Sequence, residues 1–194
     1  ISHCFKIRYF DNMEKAGQYC FSHPSGKDIY LYSLRNVTGT EVLITNYGGI
    51  LMAYQIRMPD NSMNDIVLGF DHVQDYLTAD YLKAQPFMGA VIGRYANRIK
   101  DACFTIDGKE YRVSKNWGAD QLHGGFEGFD KKVWDFVSFD EKCNILHLKY
   151  MSPDGEEGFP GNLEVNVCYE LNDDNDLIYT SSAACDEATA VNLT

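Results

Sequence analysis

Long hydrophobic runs are the first thing this sequence lacks. No window approaches the roughly 18 uninterrupted apolar residues that a membrane-spanning helix needs, and the first thirty residues lack the apolar centre of a secretory signal. An intracellular, cytoplasmic protein is expected. Positive charge is scarce: 17 Lys and Arg stand against 28 Asp and Glu, a formal net charge of -11. That balance repels the phosphate backbone of a nucleic acid and the anionic face of a membrane, so neither is expected as a partner. Cysteine pairs are missing too. Cys4, Cys20, Cys103, Cys143, Cys168 and Cys185 lie far apart, with no C-x-x-C and no histidine at metal-ligand spacing. This argues against a zinc site or any other metal, and against a disulfide scaffold, and leaves reduced structural thiols. No G-x-x-x-x-G-K-[S/T], G-x-G-x-x-G after a strand, G-x-S-x-G or H-E-x-x-H occurs, so nucleotide cofactors and metal-dependent hydrolysis lose support. The sequons Asn36-Val37-Thr38 and Asn192-Leu193-Thr194 matter only in a secreted protein and are read as chance.

What is present is alternation. A chain of 194 residues that is 45% hydrophobic and 13% aromatic can build one substantial core, and one domain is expected. In Leu163 to Leu171 every second residue is apolar, as a strand with one buried face requires. Strands are likewise expected over Ile29 to Val37, Glu41 to Asn46, Gly49 to Met58, Asp65 to Leu68, Trp134 to Phe139, Asn144 to Tyr150 and Leu177 to Ala183. Asp107-Gly108 supplies the tight turn of a further hairpin. Only Val73 to Leu82 reads as helical. The fold class is all-β, a sandwich or barrel rather than a βαβ array. Met13-Glu14-Lys15 reads more like a start than Ile1, so residues 1–12 are expected to be a leader or non-native extension, with 13–194 forming the domain.

Three polar constellations interrupt the strands. Gly93-Arg94-Tyr95-Ala96-Asn97-Arg98-Ile99 carries arginine forks and an amide suited to vicinal hydroxyls, or else forms a solvated turn paired with nearby acids. Leu122-His123-Gly124-Gly125-Phe126 sets an imidazole beside two glycines, with Trp117, Phe129 and Trp134 nearby. This suits either a sugar face or a buried, hydrogen-bonded histidine among core aromatics. Ser152 to Gly161 is acidic, and reads as paired carboxylates for acid and base work or as a long turn with solvated acids. His3, His23, His72 and His147 stand apart from these clusters.

The ordered set Thr45-Asn46-Tyr47-Gly48-Gly49, Gly93 to Ile99, Leu122 to Gly125 with Gly128-Phe129-Asp130-Lys131 and Trp134, Ser152 to Gly161, then Ala188 to Thr194 resembles the galactose mutarotase (aldose 1-epimerase) family. The resemblance covers about Cys20 to Thr194 and corresponds to that family's N-terminal part. It implies the family's large antiparallel β-sandwich, truncated here on its C-terminal side, with unpaired strand edges left behind. It also implies an isomerase that interconverts α and β anomers of a small-molecule aldose without a cofactor. Asn97 and Arg98 match the family's substrate-binding pair, and His123 its substrate-positioning histidine. No catalytic residue is matched: the acid histidine and base glutamate are expected beyond Thr194. Asp120, Glu156 and Glu157 are poor substitutes, since nothing in the sequence sets them at opposite ends of a hemiacetal. Two other readings remain open. One is a non-catalytic carbohydrate-binding module; the other is a relative acting on a hexose phosphate, which would want more cations than Arg94, Arg98 and Lys100.

Overall fold

The computed structural model describes residues 17–194. The expected leader at 1–12, with His3 and Cys4, lies outside the described residues. Two antiparallel meanders face each other. The first runs β1 (Gly17–Ser22), β2 (Asp28–Arg35), β3 (Glu41–Thr45), β4 (Leu51–Arg57) and β5 (Met63–Asp65), adjacent in that order. The second is β10 (Asp135–Asp140), β11 (Ile145–Ser152), β12 (Leu163–Leu171) and β13 (Leu177–Cys185). Between them in sequence come two small ribbons, β6 (Arg98–Ile99) with β9 (Gln121–Leu122), and the hairpin β7 (Cys103–Ile106) with β8 (Lys109–Arg112).

The alternating residues of β12 create the sandwich. Leu163, Val165, Val167, Tyr169 and Leu171 all point inward, and their neighbours in sequence are only partly covered. With Leu146 and Leu148 of β11 and Phe136 of β10 they pack on Tyr30, Tyr32, Leu34, Val42 and Ile44 of the first sheet. Tyr32 stacks on Phe136 at 5.7 Å between ring centres. Burial of these side chains contributes about 1.5–3 kcal/mol each, the main term holding the sheets together. The other face of the first sheet is covered separately, Ile29, Tyr47, Ile50 and Met52 packing on Val73 and Tyr76.

Two expectations need correction. The strand placed at Asp65 to Leu68 lies earlier, at Met63–Asp65, and leaves Ile66 and Leu68 exposed. Asn61, at φ +68°, turns the chain tightly and fixes the register, and the Asp65 carboxylate then accepts from the amides of Tyr54 and Val67, ending the strand. The helix read over Val73 to Leu82 is two pieces, a 3-10 turn Val73–Leu77 and a short α-helix Ala79–Ala84. Thr78 is extended between them, and its hydroxyl caps the second by accepting from the Tyr81 amide. The remaining strands stand within a few residues of where alternation puts them.

β13 is bonded to β12 on one side and carries the exposed side chains Ile178 and Tyr179. Among the described residues, Cys20, Cys103, Cys143, Cys168 and Cys185 are free thiols. No helix among them is long and apolar enough to cross a membrane. The Asn36 amide is taken up internally, its Nδ2 donating to the Asn172 carbonyl at 2.8 Å and to Asn175 Oδ1 at 2.8 Å, so this sequon has no free nitrogen to modify.

Candidate active site

Three residues singled out in the sequence meet at the end of the β6–β9 ribbon. In its register Arg98 lies opposite Leu122, which places Asn97 opposite His123 one step further out. The two exchange hydrogen bonds: the His123 amide donates to the Asn97 carbonyl at 2.9 Å, and the Asn97 amide donates to His123 Nδ1 at 3.0 Å. Both sit at positive φ, +68° for Asn97 and +52° for His123. Asparagine and histidine enter that region more readily than most residues, yet for any residue but glycine it costs energy and persists where the surroundings hold it. Gly124 contributes directly, since a Cβ there would lie 1.8 Å from the Gly93 carbonyl oxygen.

That geometry determines the chemistry of the ring. With Nδ1 accepting, the neutral imidazole carries its proton on Nε2, which becomes a donor on the ring's other side. Burial holds the His123 pKa below its ordinary value, and the Arg98 guanidinium lowers it further, so the ring stays neutral near pH 7. Arg98 donates to Asn97 Oδ1 at 3.1 Å and lies 5.9 Å over the Trp117 ring. Phe87 meets the imidazole edge-on at 4.8 Å. A guanidinium, a carboxamide and an Nε2–H thus stand together, with Asn97 and Arg98 exposed and His123 half-buried. Such a set suits adjacent hydroxyls, which need donors and an acceptor at fixed spacing.

Arg94 belongs to the same motif and does something else. The solvated-turn reading fails for it: the side chain is 2% exposed. Its Nε donates to Ser152 Oγ at 2.8 Å, and its two terminal nitrogens reach the carbonyls of Ser152, Pro153, Pro160 and Gly161 at 2.8–2.9 Å. The loop 152–161 is therefore wrapped around a buried guanidinium, and its acids are not simply solvated. Glu156 accepts from the Tyr150 hydroxyl at 2.7 Å and from Ser152 Oγ, and pairs with Lys132 at 3.0 Å.

The other motifs converge on the same end. The Trp134 amide donates to the Asn46 carbonyl at 2.8 Å and the Gly48 amide to the Lys132 carbonyl at 2.7 Å, docking Thr45 to Gly49 onto the segment 128–134. Asn192 bridges to Tyr95, with Ala96 N–H donating to its carbonyl at 2.8 Å and its own amide donating to the Arg94 carbonyl at 2.9 Å. Five segments far apart in sequence are thus tied together by hydrogen bonds. Residues 30–194 match the protein family described as Aldose 1-epimerase. The chain belongs to the aldose 1-epimerase family.

It is 39% identical over 171 residues to the aldose 1-epimerase of Escherichia coli (strain K12), covering 88% of this chain and 47% of that protein. It is 42% identical over 151 residues to the galactose mutarotase of Bos taurus, covering 78% and 42%. The crystal structure of a galactose 1-epimerase from Lactobacillus acidophilus NCFM superposes with a TM-score of 0.78 at 29% identity, over 91% of this chain and 51% of that one. The chain spans about half the length of the curated relatives it matches. The antiparallel sandwich is thus the fold of the aldose 1-epimerase family.

Within this family frame the remaining candidates separate. Of the aromatics around the L-H-G-G motif, Phe129 and Trp134 are 1% exposed and belong to the core, whereas Trp117 and Phe126 are half exposed at the surface. Asp120 Oδ1 accepts from the Asp101 amide at 2.8 Å, which ties the segment after β6 to the segment before β9. Glu157 accepts from the amides of Phe126 at 3.1 Å and Glu127 at 2.8 Å and from Ser114 Oγ, so it is spoken for as well. Sequence reading did not assign those contacts to Glu157. The signal available was Gly125 within the L-H-G-G motif, a position where a Cβ would lie 2.1 Å from the Glu157 carboxylate.

Proposed function

We propose that this chain carries the sugar-positioning half of an aldose 1-epimerase (galactose mutarotase), an isomerase interconverting the α and β anomers of aldoses such as galactose and glucose. The reciprocal bonding of Asn97 and His123 carries this reading, because it turns Nε2–H outward beside the Arg98 guanidinium. Anomer exchange requires a base on the anomeric hydroxyl and an acid on the ring oxygen, each within about 2.6–3.2 Å of its atom. Asn97, Arg98 and His123 supply neither. They hold the hydroxyls so that the hemiacetal is presented in one orientation, and orientation is a large part of such a rate enhancement.

The acid histidine and base glutamate follow Thr194 in this reading. It is supported by the bridge between Asn192 and Tyr95, two residues from Asn97, which brings that stretch of chain against the site. No cofactor takes part, and the partner is a small neutral sugar. Burial of Arg94 leaves Arg98 and Lys100 as the cations of the motif at the surface, which weakens the hexose-phosphate reading. An intracellular setting agrees with the free thiols.

The test is polarimetry of fresh α-galactose. With protein that includes the sequence beyond Thr194, His123→Ala lowers kcat/KM by about a hundredfold through misplacing the sugar. An unchanged kcat/KM removes His123 from the site. The 194 residues alone give the buffer rate, and catalysis above it would place the acid and base within them.

A further inference from the structure

We infer that Glu157 is a positioning residue of the sugar site. Its carboxylate grips the turn that follows His123, so that the imidazole keeps Nδ1 on the Asn97 amide and presents Nε2–H outward. The inference rests on the proposed sugar-binding role of His123.

Glu157 is remote in sequence from everything it touches. Its carboxylate takes the amide hydrogens of Phe126 at 3.1 Å and Glu127 at 2.8 Å, and the Ser114 hydroxyl. Its own carbonyl accepts from the Ser114 amide at 3.0 Å and from Gln121 Nε2 at 3.4 Å. Asn116 completes the grip from another side. Its Nδ2 donates to the carbonyls of Leu122 at 2.8 Å and Gly125 at 3.0 Å, and its Oδ1 accepts from the Leu122 amide at 2.7 Å. The amides after His123, of Phe126 and Glu127, therefore go to Glu157, while Asn116 holds both polar groups of Leu122 before it and the Gly125 carbonyl after it.

The carboxylate is more than filler. None of the salt bridges among the described residues involves Glu157, so its half-buried charge is met by backbone amides and a hydroxyl. Bonds to a charged acceptor are roughly twice as strong as neutral ones, and two amides on one carboxylate fix direction as well as distance. At Gly125 a side chain would lie 2.1 Å from Glu157 Oε2 and 2.5 Å from Ser114 Oγ, so the turn is shaped to admit the carboxylate. Arg94, bonded to four carbonyls of the loop 152–161, anchors the segment from which Glu157 reaches. His123 at φ +52° needs such enforcement.

The test uses the full chain labelled uniformly with nitrogen-15. In the unaltered chain the His123 ring gives the pattern of a neutral Nε2–H tautomer, and the Asn97 amide is protected from exchange. Glu157→Ala mixes the tautomers and speeds exchange at Asn97 by at least about tenfold. Glu157→Gln keeps one acceptor oxygen and falls between the two. A merely structural residue behaves otherwise: Leu148→Ala, in the core, lowers the unfolding midpoint and leaves the His123 ring pattern as it was. If Glu157→Ala does not fold, Glu157→Gln decides alone, and a His123 pattern and Asn97 exchange rate identical to the unaltered chain in Glu157→Gln overturns the proposal. Galactose is then titrated into both. It moves the His123 signal of the unaltered chain, and Glu157→Gln needs several-fold more sugar for the same displacement. If galactose moves nothing in the unaltered chain, the sugar reading falls, and the tautomer pattern still decides whether Glu157 holds the ring.

Discussion

Between the two sheets this protein is held by side chains that carry few polar atoms, whereas at the end where Asn97, Arg98 and His123 meet it is held by charged groups bonded to backbone. Leu146, Leu148, Val165 and Val167 need only volume and the right face. Arg94 and Glu157 need direction, because each serves several acceptors or donors in fixed places. An apolar interface tolerates swaps of similar volume, while a satisfied polar network fails when any member is removed. The difference puts directional bonding at the end where the sugar is proposed to sit, and leaves bulk stability to the sandwich.

The strongest way to break this contrast is Arg94→Met, which matches bulk and removes every donor. The carbonyls of Ser152, Pro153, Pro160 and Gly161 lose their donor, and Glu156 loses a nearby positive charge while keeping Lys132, at a cost of about 3–5 kcal/mol. Urea unfolding measures it, and a loss below about 1 kcal/mol would show that the loop re-forms around water. Arg94→Lys recovers only part, since an ammonium has three donors and no planar fork.

Leu148→Ala tests the other region and costs about 3 kcal/mol by opening a cavity between the sheets. Its effect is confined to stability. Sugar-dependent changes at His123 persist in the folded fraction, in contrast to any change at Glu157. Loss of the His123 response in Leu148→Ala would mean that the sandwich and the loop end are coupled, and the two-region picture would be wrong.

The same contrast explains what the sequence made legible. β12 reads directly from Leu163 to Leu171 because alternation is a local record of which face is buried. Asn97, Arg98 and His123 were singled out through an ordered set of motifs, since residue types alone favoured a solvated turn for the first motif and left His123 open between a sugar face and the core; the structure brings the three together, and their binding role is the proposal made above. Arg94 was not legible, because nothing within its motif distinguishes it from Arg98 four positions later. What separates them is the loop 152–161 closing over one and not the other. Glu157 was missed for the same reason, its partners lying 30 or more residues away. Exposure of Ile66 and Leu68 escaped notice because a turn at Asn61 outweighed the apolar pattern that follows it.

The smallest expected effect is in the pH dependence, and it sharpens the comparison from the side of the site. Burial, then Arg98, holds His123 below the ordinary value of 6.5 in the folded chain. On acidification the unfolded chain takes up this proton first, so between the two values it binds more protons than the folded chain, and stability rises with pH across that interval. The contribution is fully present above pH 6.5 and is lost as pH falls through the folded value. His23 is lowered by burial in the same sense, so the measurement is a difference: urea midpoints of the unaltered chain and of His123→Gln, compared between about pH 5 and 8. The two curves converge toward acid pH, because protonation removes the Nδ1 acceptor that holds the Asn97 amide and adds a second positive charge beside Arg98. Parallel curves would mean that the ring is not held by that contact, and the orientation assigned to Nε2 would lose its basis.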